Sequence, residues 1–353
     1  MKTLLYVVGA RPNFPKLAPV YRAGAELGVR QLIVHTGQHY DEEMSNSFFS
    51  SLGIPAPTFN LEIGSGTHAA QTARVMERIE PILVEQRPDW VVVFGDVNST
   101  MAASIVAVKL GLRVAHVEAG LRSDDRTMPE EINRLVTDRL ADLLLTPSRD
   151  ADERLKAEGE PESEIVFVGN VMIDTLFRKV AELGLERPEG RPWPSDASIL
   201  VTLHRPSNVD DASRFRRIIA ALSQVAKERR VLFPAHPRTQ KRIADLGLDV
   251  GDIEMSGPIP YECLIPLVLR AHVVVTDSGG LQEETSALGI PCLTLRANTE
   301  RPVTVTHGTN RLVPEPEDLP AAIAATDRSQ LPPTIEGWDG DAGRRVVSAL
   351  LAR

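Results

Sequence analysis

Two carboxylates stand just beyond apolar runs in the first half of the chain, and a third opens a helical segment. Asp96 follows Trp90 to Phe94 in Phe94-Gly95-Asp96-Val97-Asn98, and Glu118 lies in His116-Val117-Glu118-Ala119-Gly120-Leu121-Arg122. Glu130 lies in Met128-Pro129-Glu130-Glu131-Ile132-Asn133-Arg134. A carboxylate at the end of a buried strand is costly unless it is paired or works as an acid or base. Each also has a structural reading. Asp96 or Asn98 could cap a helix, and the two readings of Asp96 carry equal weight. Arg122 could pair with Glu118. Pro129 followed by Glu130 and Glu131 is sound helix-start chemistry, so Glu131 reads as a cap, while Glu130 points towards the same strand-end region as Asp96 and Glu118.

A second set of residues suits an anion. Gly9-Ala10-Arg11-Pro12-Asn13-Phe14-Pro15-Lys16 brings Arg11 and Lys16 to a strand-to-helix turn, where a helix N-terminus favours negative charge. An ordinary turn with solvated basic residues is the alternative. Thr202-Leu203-His204-Arg205-Pro206 puts a His-Arg pair after an apolar run, with the guanidinium as a planar donor to phosphate. His236 occupies the next strand end and invites the same argument with less force. The sharpest motif is Thr276-Asp277-Ser278-Gly279-Gly280-Leu281-Gln282-Glu283-Glu284. A strand, then Ser278-Gly279-Gly280, then a helix offers free N–H groups and a dipole to a diphosphate. Glu284, a turn further in, can accept hydrogen bonds from ribose hydroxyls.

These residues need elements to hold them. Leu4 to Val8, Leu32 to His35, Trp90 to Phe94, Val114 to Val117, Leu143 to Thr146 and Ile165 to Val168 read as strands covered on both faces. Helical patterns such as Ala69 to Gln86 and Thr100 to Leu110 alternate with them. A second series runs through Ile199 to Leu203, Val231 to Ala235, Val273 to Thr276 and Cys292 to Leu295, with helices at Arg214 to Lys227 and Gly280 to Leu288. This βαβ rhythm predicts an α/β protein of two Rossmann-like domains facing a central cleft. The expected domains are 1–171 and 172–339, with a last helix near 340–353 crossing back onto the first. Glu186 to Ser195, rich in Pro, Gly and charge, reads as a surface loop.

The length of 353 residues is comfortable for two such domains, and 42% hydrophobic residues supply two cores. A net charge of −9 argues against wholesale nucleic-acid binding. Cys263 and Cys292 have no metal-type spacing and lie in apolar stretches, so both read as buried free thiols in a reducing compartment. Met1-Lys2-Thr3 leads into a first strand and is too short a lead for a signal peptide. No apolar run approaches a membrane span. The expectation is a cytoplasmic protein, with no metal or cofactor indicated.

The ordered set of motifs resembles the non-hydrolysing UDP-N-acetylglucosamine 2-epimerases. It runs through Gly9-x-Arg11-Pro12, Thr36-Gly37-Gln38-His39, Gly95-Asp96, His116 to Arg122, Pro129-Glu130-Glu131-x-Asn133-Arg134, Gly169-Asn170, Thr202-x-His204-Arg205, Asp277 to Glu284 and Thr299-Glu300-Arg301-Pro302. The resemblance implies a glycosyltransferase-B-like fold, a UDP-sugar substrate held mainly by the second domain, and a homodimer. It implies inversion at C2 by elimination of UDP to 2-acetamidoglucal and re-addition. Asp96, Glu118, Glu130 and His204 match the acid–base set. Arg11, Lys16, Ser278, Gly279, Gly280 and Glu284 match substrate-binding positions, to which the strand-end reading adds Arg205 and His236 and the Thr299-Glu300-Arg301-Pro302 motif adds Arg301. The chain departs from many members at Ser207, Leu264 and Val303. A related diacetamido-sugar uronate as substrate, a glycosyltransferase of the same fold, a hydrolysing epimerase and a non-catalytic UDP-sugar sensor are the competing readings.

Overall fold

A computed structural model describes residues 1–37, Phe49, 52–186, 194–328 and 334–353, apart from the Arg11 side chain. Gln38, His39 and most of the loop between Glu186 and Ser195 lie outside the described residues. The chain forms two compact units, Met1–Phe177 with Glu336–Arg353, and Arg178–Ile335.

The first unit begins with β1 (Thr3–Val8), α1 (Phe14–Glu26), β2 (Arg30–His35), β3 (Phe59–Asn60), α2 (His68–Gln86), β4 (Trp90–Phe94) and α3 (Asn98–Lys109). It continues through β5 (Val114–Val117), α4 (Pro129–Leu140), β6 (Leu143–Thr146), α5 (Arg149–Ala157) and β7 (Ile165–Phe167). Helix α6 (Val171–Glu182) contains the crossing into the second unit at Phe177 and Arg178. That unit holds β8 (Ile199–Thr202), α7 (Pro206–Val209), α8 (Ala212–Ala226), β9 (Val231–Pro234), α9 (Pro237–Asp245), β10 (Glu254–Ser256) and α10 (Tyr261–Arg270). It closes with β11 (Val273–Thr276), α11 (Gly279–Leu288), β12 (Cys292–Thr294), α12 (Pro302–Thr306), β13 (Asn310–Leu312) and α13 (Leu319–Ala324). The chain then rejoins the first unit as α14 (Ala342–Leu351).

The expected α/β class with two parallel sheets is what forms. The first sheet runs β3-β2-β1-β4-β5-β6-β7 and the second β10-β9-β8-β11-β12-β13. Every pairing between these strands is parallel. Alternation along β1 shows why its run has no polar residue. Leu4, Tyr6 and Val8 enter one core with α1 and α14, and Leu5 and Val7 enter another with α2 and α3. A strand with helices on both faces has no solvent side to offer.

The sequence reading missed β3, β10 and β13, which are two or three residues long and lie at or next to sheet edges. Their polar residues and shortness leave no apolar run to read. It also erred on Cys263. Cys292 is buried, but Cys263 is exposed. Helix α10 turns Ile265, Val268 and Leu269 to the core, and Cys263 falls on its other side. No described helix is long and apolar enough to cross a membrane.

Helix α14 is part of the first core. Lys2 Nζ donates to Leu350 O at 3.1 Å and Leu351 O at 2.9 Å, and Trp90 Nε1 donates to Leu350 O at 3.1 Å. These bonds satisfy carbonyls that a helix end leaves without partners. A Cβ on Gly343 would stand 2.6 Å from Pro19 C and 2.7 Å from Pro19 O, backbone atoms that cannot swing aside. Gly343→Val is therefore expected to destabilise the first unit by about 2 kcal/mol, in the range of core overpacking. Urea denaturation read by tryptophan fluorescence measures it. Arg344→Ala, at the exposed neighbour, is the control and should stay within about 0.5 kcal/mol.

Candidate active site

In the first sheet the strand order reverses between β1 and β4. Ligands of doubly wound sheets bind beyond the carboxyl ends of the strands at such a reversal. Asn13 ties the two strand ends together there. Its Oδ1 accepts from Gly9 N and Ala10 N, each at 3.1 Å, and its Nδ2 donates to Phe94 O at 2.9 Å. The 3-10 turn Arg11–Asn13 then delivers α1, with Lys16 in its first turn.

Lys16 is not solvated. It is buried, and its Nζ pairs with the buried carboxylate of Glu118, just past β5. Glu118 has φ +76°, a left-handed conformation that non-glycine residues seldom adopt. Such a residue persists only where its surroundings over-determine it. Gly95 makes room for the pair. Its φ is +62°, and a Cβ there would stand 2.6 Å from Lys16 Nζ. Arg122 is not the partner of Glu118. Its guanidinium is taken by Asp138 at 2.7 Å and Glu158 at 2.7 Å.

Asp96 follows Gly95, and its carboxylate accepts from Arg134 NH2 at 2.5 Å. Asn133 Nδ2 donates to the Asp96 backbone carbonyl at 2.8 Å. The N-cap residue of α3 is Val97, so neither Asp96 nor Asn98 caps that helix. Glu131 is the scaffold. It accepts from Ser123 N at 2.9 Å, Ser123 Oγ at 3.0 Å, Asp124 N at 3.1 Å and Arg134 NH1 at 2.7 Å. Burial pushes its carboxyl up, but these donors bring it below the ordinary carboxylate range. Glu130 is exposed in the first turn of α4, and no hydrogen bond or ion pair holds it among the described residues. The first unit thus joins Lys16 to Glu118 beside Gly95-Asp96, and Glu130 stands outside those contacts.

The second sheet reverses between β8 and β11. Asp277, just past β11, is fully buried and holds that junction. It accepts from the backbone of His204 at 3.1 Å, from Arg205 N at 3.0 Å and from Asn208 Nδ2 at 3.1 Å. His204 Nδ1 lies 2.9 Å from Asp277 Oδ1, while the His204 side chain is 60% exposed. The ring is therefore anchored at one nitrogen and open at the other. Burial pushes the Asp277 carboxyl up, and His204 with its other donors brings it below the ordinary range. The sequence reading did not single out Asp277 as functional. The argument used for Glu118, a carboxylate leaving an apolar strand, applied to it equally.

Arg205 Nε donates to Asp277 O at 3.0 Å, and its NH2 to Glu300 Oε1 at 3.1 Å. Glu300 also pairs with Arg296 at 2.7 Å and Arg301 at 2.8 Å. Burial works against this carboxylate's charge, but Arg301, Arg296 and Arg205 hold it far below its ordinary range. Arg301 Nε is 2.9 Å from Glu283, and a Cβ on Gly279 would stand 2.5 Å from Arg301 NH1. The guanidinium thus lies against the Ser278-Gly279-Gly280 turn. Ser278 makes no side-chain cap bond, so no side chain covers the start of α11 from that position. Burial pushes Glu284 up to about 7, with Glu283 adding to it and the Tyr261 hydroxyl, donating at 2.8 Å, opposing it. Tyr261 was also missed, since an aromatic opening a helix reads as core. His236, exposed after β9, caps α9 by accepting from Arg238 N at 3.3 Å. Among the described residues no cluster of His, Cys, Asp or Glu could hold a metal ion.

Comparison with known proteins gives this geometry its context. The UDP-N-acetylglucosamine 2-epimerase family model matches residues 23–351. A UDP-N-acetylglucosamine 2-epimerase of Methanocaldococcus jannaschii is 41% identical over 98% of both chains. A UDP-2,3-diacetamido-2,3-dideoxy-D-glucuronate 2-epimerase of Pseudomonas aeruginosa is 42% identical over 98% of this chain and 99% of its own. The crystal structure of the Methanocaldococcus jannaschii UDP-GlcNAc 2-epimerase in complex with UDP-GlcNAc and UDP matches with a TM-score of 0.87 at 38% identity, covering 100% of both chains. The chain belongs to the UDP-N-acetylglucosamine 2-epimerase family.

Proposed function

We propose that this protein interconverts UDP-N-acetylglucosamine and UDP-N-acetylmannosamine by elimination and re-addition of UDP. The observation that carries the reading is the buried Lys16–Glu118 pair beside Asp96, built on a left-handed glutamate at the strand reversal. The C2 proton is not next to a carbonyl, so a base alone removes it poorly. The C1–O bond to the diphosphate must break as that proton leaves, and positive character at C1 needs nearby carboxylates. UDP departs with the bonding pair, C1 and C2 become doubly bonded, and 2-acetamidoglucal remains. UDP then returns to C1 while a proton reaches C2 on the other face.

Asp96, Glu118, Glu130 and His204 are the proposed acid–base and charge-stabilising set. Arg205, Arg301, His236 and the Ser278-Gly279-Gly280 turn take the leaving diphosphate, with Arg11 and Lys16 as further cations. Glu284 takes the ribose. Asp277 acts through His204, fixing the ring and leaving its outer nitrogen to the substrate. The family resemblance also supports a homodimer working in the cytoplasm and supplying the activated sugar for cell-surface polysaccharide. The diacetamido-glucuronate sugar is the second reading, because the Pseudomonas aeruginosa relative that acts on it matches almost the whole chain.

Proton NMR in D2O with each sugar nucleotide separates the two. Deuterium at C2 of an epimerised product identifies both substrate and mechanism, and free N-acetylmannosamine would instead mark a hydrolysing enzyme. Glu118→Gln is expected to abolish turnover and deuterium uptake while UDP affinity stays within about threefold. Turnover surviving in that variant would remove Glu118 from the acid–base set.

Asp277→Asn tests the second unit. Its amide cannot accept as the carboxylate does, so kcat should fall roughly a hundredfold or more. An unchanged kcat would leave Asp277 a purely structural residue.

Glu284 sets a pH dependence. Its carboxyl is raised from 4.5 to about 7, so its contribution to stability is present below the lower value and lost as pH rises through the upper one. Ribose hydroxyls donate to the ionised form. UDP binding should therefore tighten as pH rises through about 7, by up to about tenfold per unit. Glu284→Gln should flatten that slope in calorimetric titrations, and an unaltered slope would assign it elsewhere.

A further inference from the structure

One buried histidine has no part in the reaction as described. His116 is the third residue of β5 and is 0% exposed. Its Nε2 lies 2.8 Å from the Gly95 carbonyl oxygen, and its Nδ1 lies 2.5 Å from Asp138 Oδ1. A carbonyl oxygen only accepts, so Nε2 carries hydrogen. Asp138 Oδ2 accepts from Arg122 NH1 at 2.7 Å and Gly120 N at 3.1 Å. Burial pushes the Asp138 carboxyl up, but His116 and Arg122 bring it below the ordinary range. The Nδ1–Oδ1 contact holds the other edge of the ring.

That ring ends on the residue that makes room for the Lys16–Glu118 pair. The Gly95 carbonyl accepts from His116, its N–H donates to Val117 O at 3.0 Å, and Asp96 is the next residue. Asp138 stands on α4, the helix whose Asn133 and Arg134 hold Asp96 from the other side.

We propose that His116, oriented by Asp138, is a positioning residue for the epimerisation, pinning the Gly95-Asp96 turn against Glu118. The inference rests on the acid–base reading of Asp96 and Glu118. The charged groups around this network are Asp138, Arg134 and Glu131 on α4, Arg122 with Glu158 behind it, Lys16 on α1, and Glu118 and Asp96 themselves. Losing the Gly95 contact should loosen the turn that aligns the two carboxylates, which costs rate more than substrate affinity.

The variant His116→Gln removes the ring that spans Gly95 and Asp138. With the D2O assay's preferred sugar, kcat should fall about 10- to 100-fold at nearly unchanged KM. UDP affinity and far-UV circular dichroism should match the wild type. A KM that rises in step with the loss of kcat would reduce His116 to a packing residue and overturn the proposal, as would an unchanged kcat. Nitrogen-15 NMR of the wild-type ring at about pH 7 supplies a test that survives misfolding of the variant, because an Nε2 without hydrogen also overturns it. A wild type inert towards both sugars would sink the acid–base reading itself, whereas an active wild type with an indifferent His116→Gln sinks only this inference.

Discussion

The ion pair between Lys16 and Glu118 sets the terms for the first unit. Burying two opposite charges is worthwhile only where geometry is good and remaining polar atoms are satisfied. That demand reaches outward. It requires Gly95 to lack a side chain, since a Cβ there would collide with the lysine. It requires Asn13 to hold the turn that starts α1, so that Lys16 enters beneath the carboxylate. It also requires Glu118 to take a left-handed backbone, which spends conformational stability at a strand end. A parallel sheet supplies such an arrangement because adjacent strand ends, β4 and β5, place their following residues side by side.

The second unit solves a related problem with another buried acid. Asp277 gathers two backbone N–H groups, an asparagine amide and an imidazole at one strand reversal. Asp138 does the same in the first unit for an imidazole, a guanidinium and a backbone N–H. Each is nearly inaccessible, and each is held ionised by its donors. In the second unit the side chains proposed for the substrate, His204 and Arg205, are thus backed by an aspartate that fixes their direction. Exposed rings such as His204 keep a defined orientation because the constraint sits on the buried nitrogen.

The strands that position the site were legible because both of their faces are buried, leaving unbroken apolar runs such as Leu4 to Val8. The short edge strands β3, β10 and β13 carry too few apolar residues to register. The expectation that chemistry gathers at strand ends of doubly wound sheets drew attention to Asp96, Glu118, His204 and Arg205, and all four lie just past β4, β5 and β8. Partners were harder. Arg122 was the sequence neighbour available to Glu118, yet the fold brings Lys16 from another helix and gives Arg122 to Asp138. Asp138 sits in a helix rich in charge, where a buried acid looks like any solvated one. Periodicity does not say which polar residue the surroundings will enclose.

The first unit is discontinuous in sequence. Helix α14 fills its core, and Lys2 and Trp90 bind the carbonyls at the end of that helix. A ribosome must translate the whole of the second unit before α14 emerges. The second unit can therefore complete its core on the nascent chain, while the first waits with the core of Leu4, Tyr6, Val8 and α1 incomplete. The apolar surface that α14 would cover is then what a chaperone would meet during synthesis.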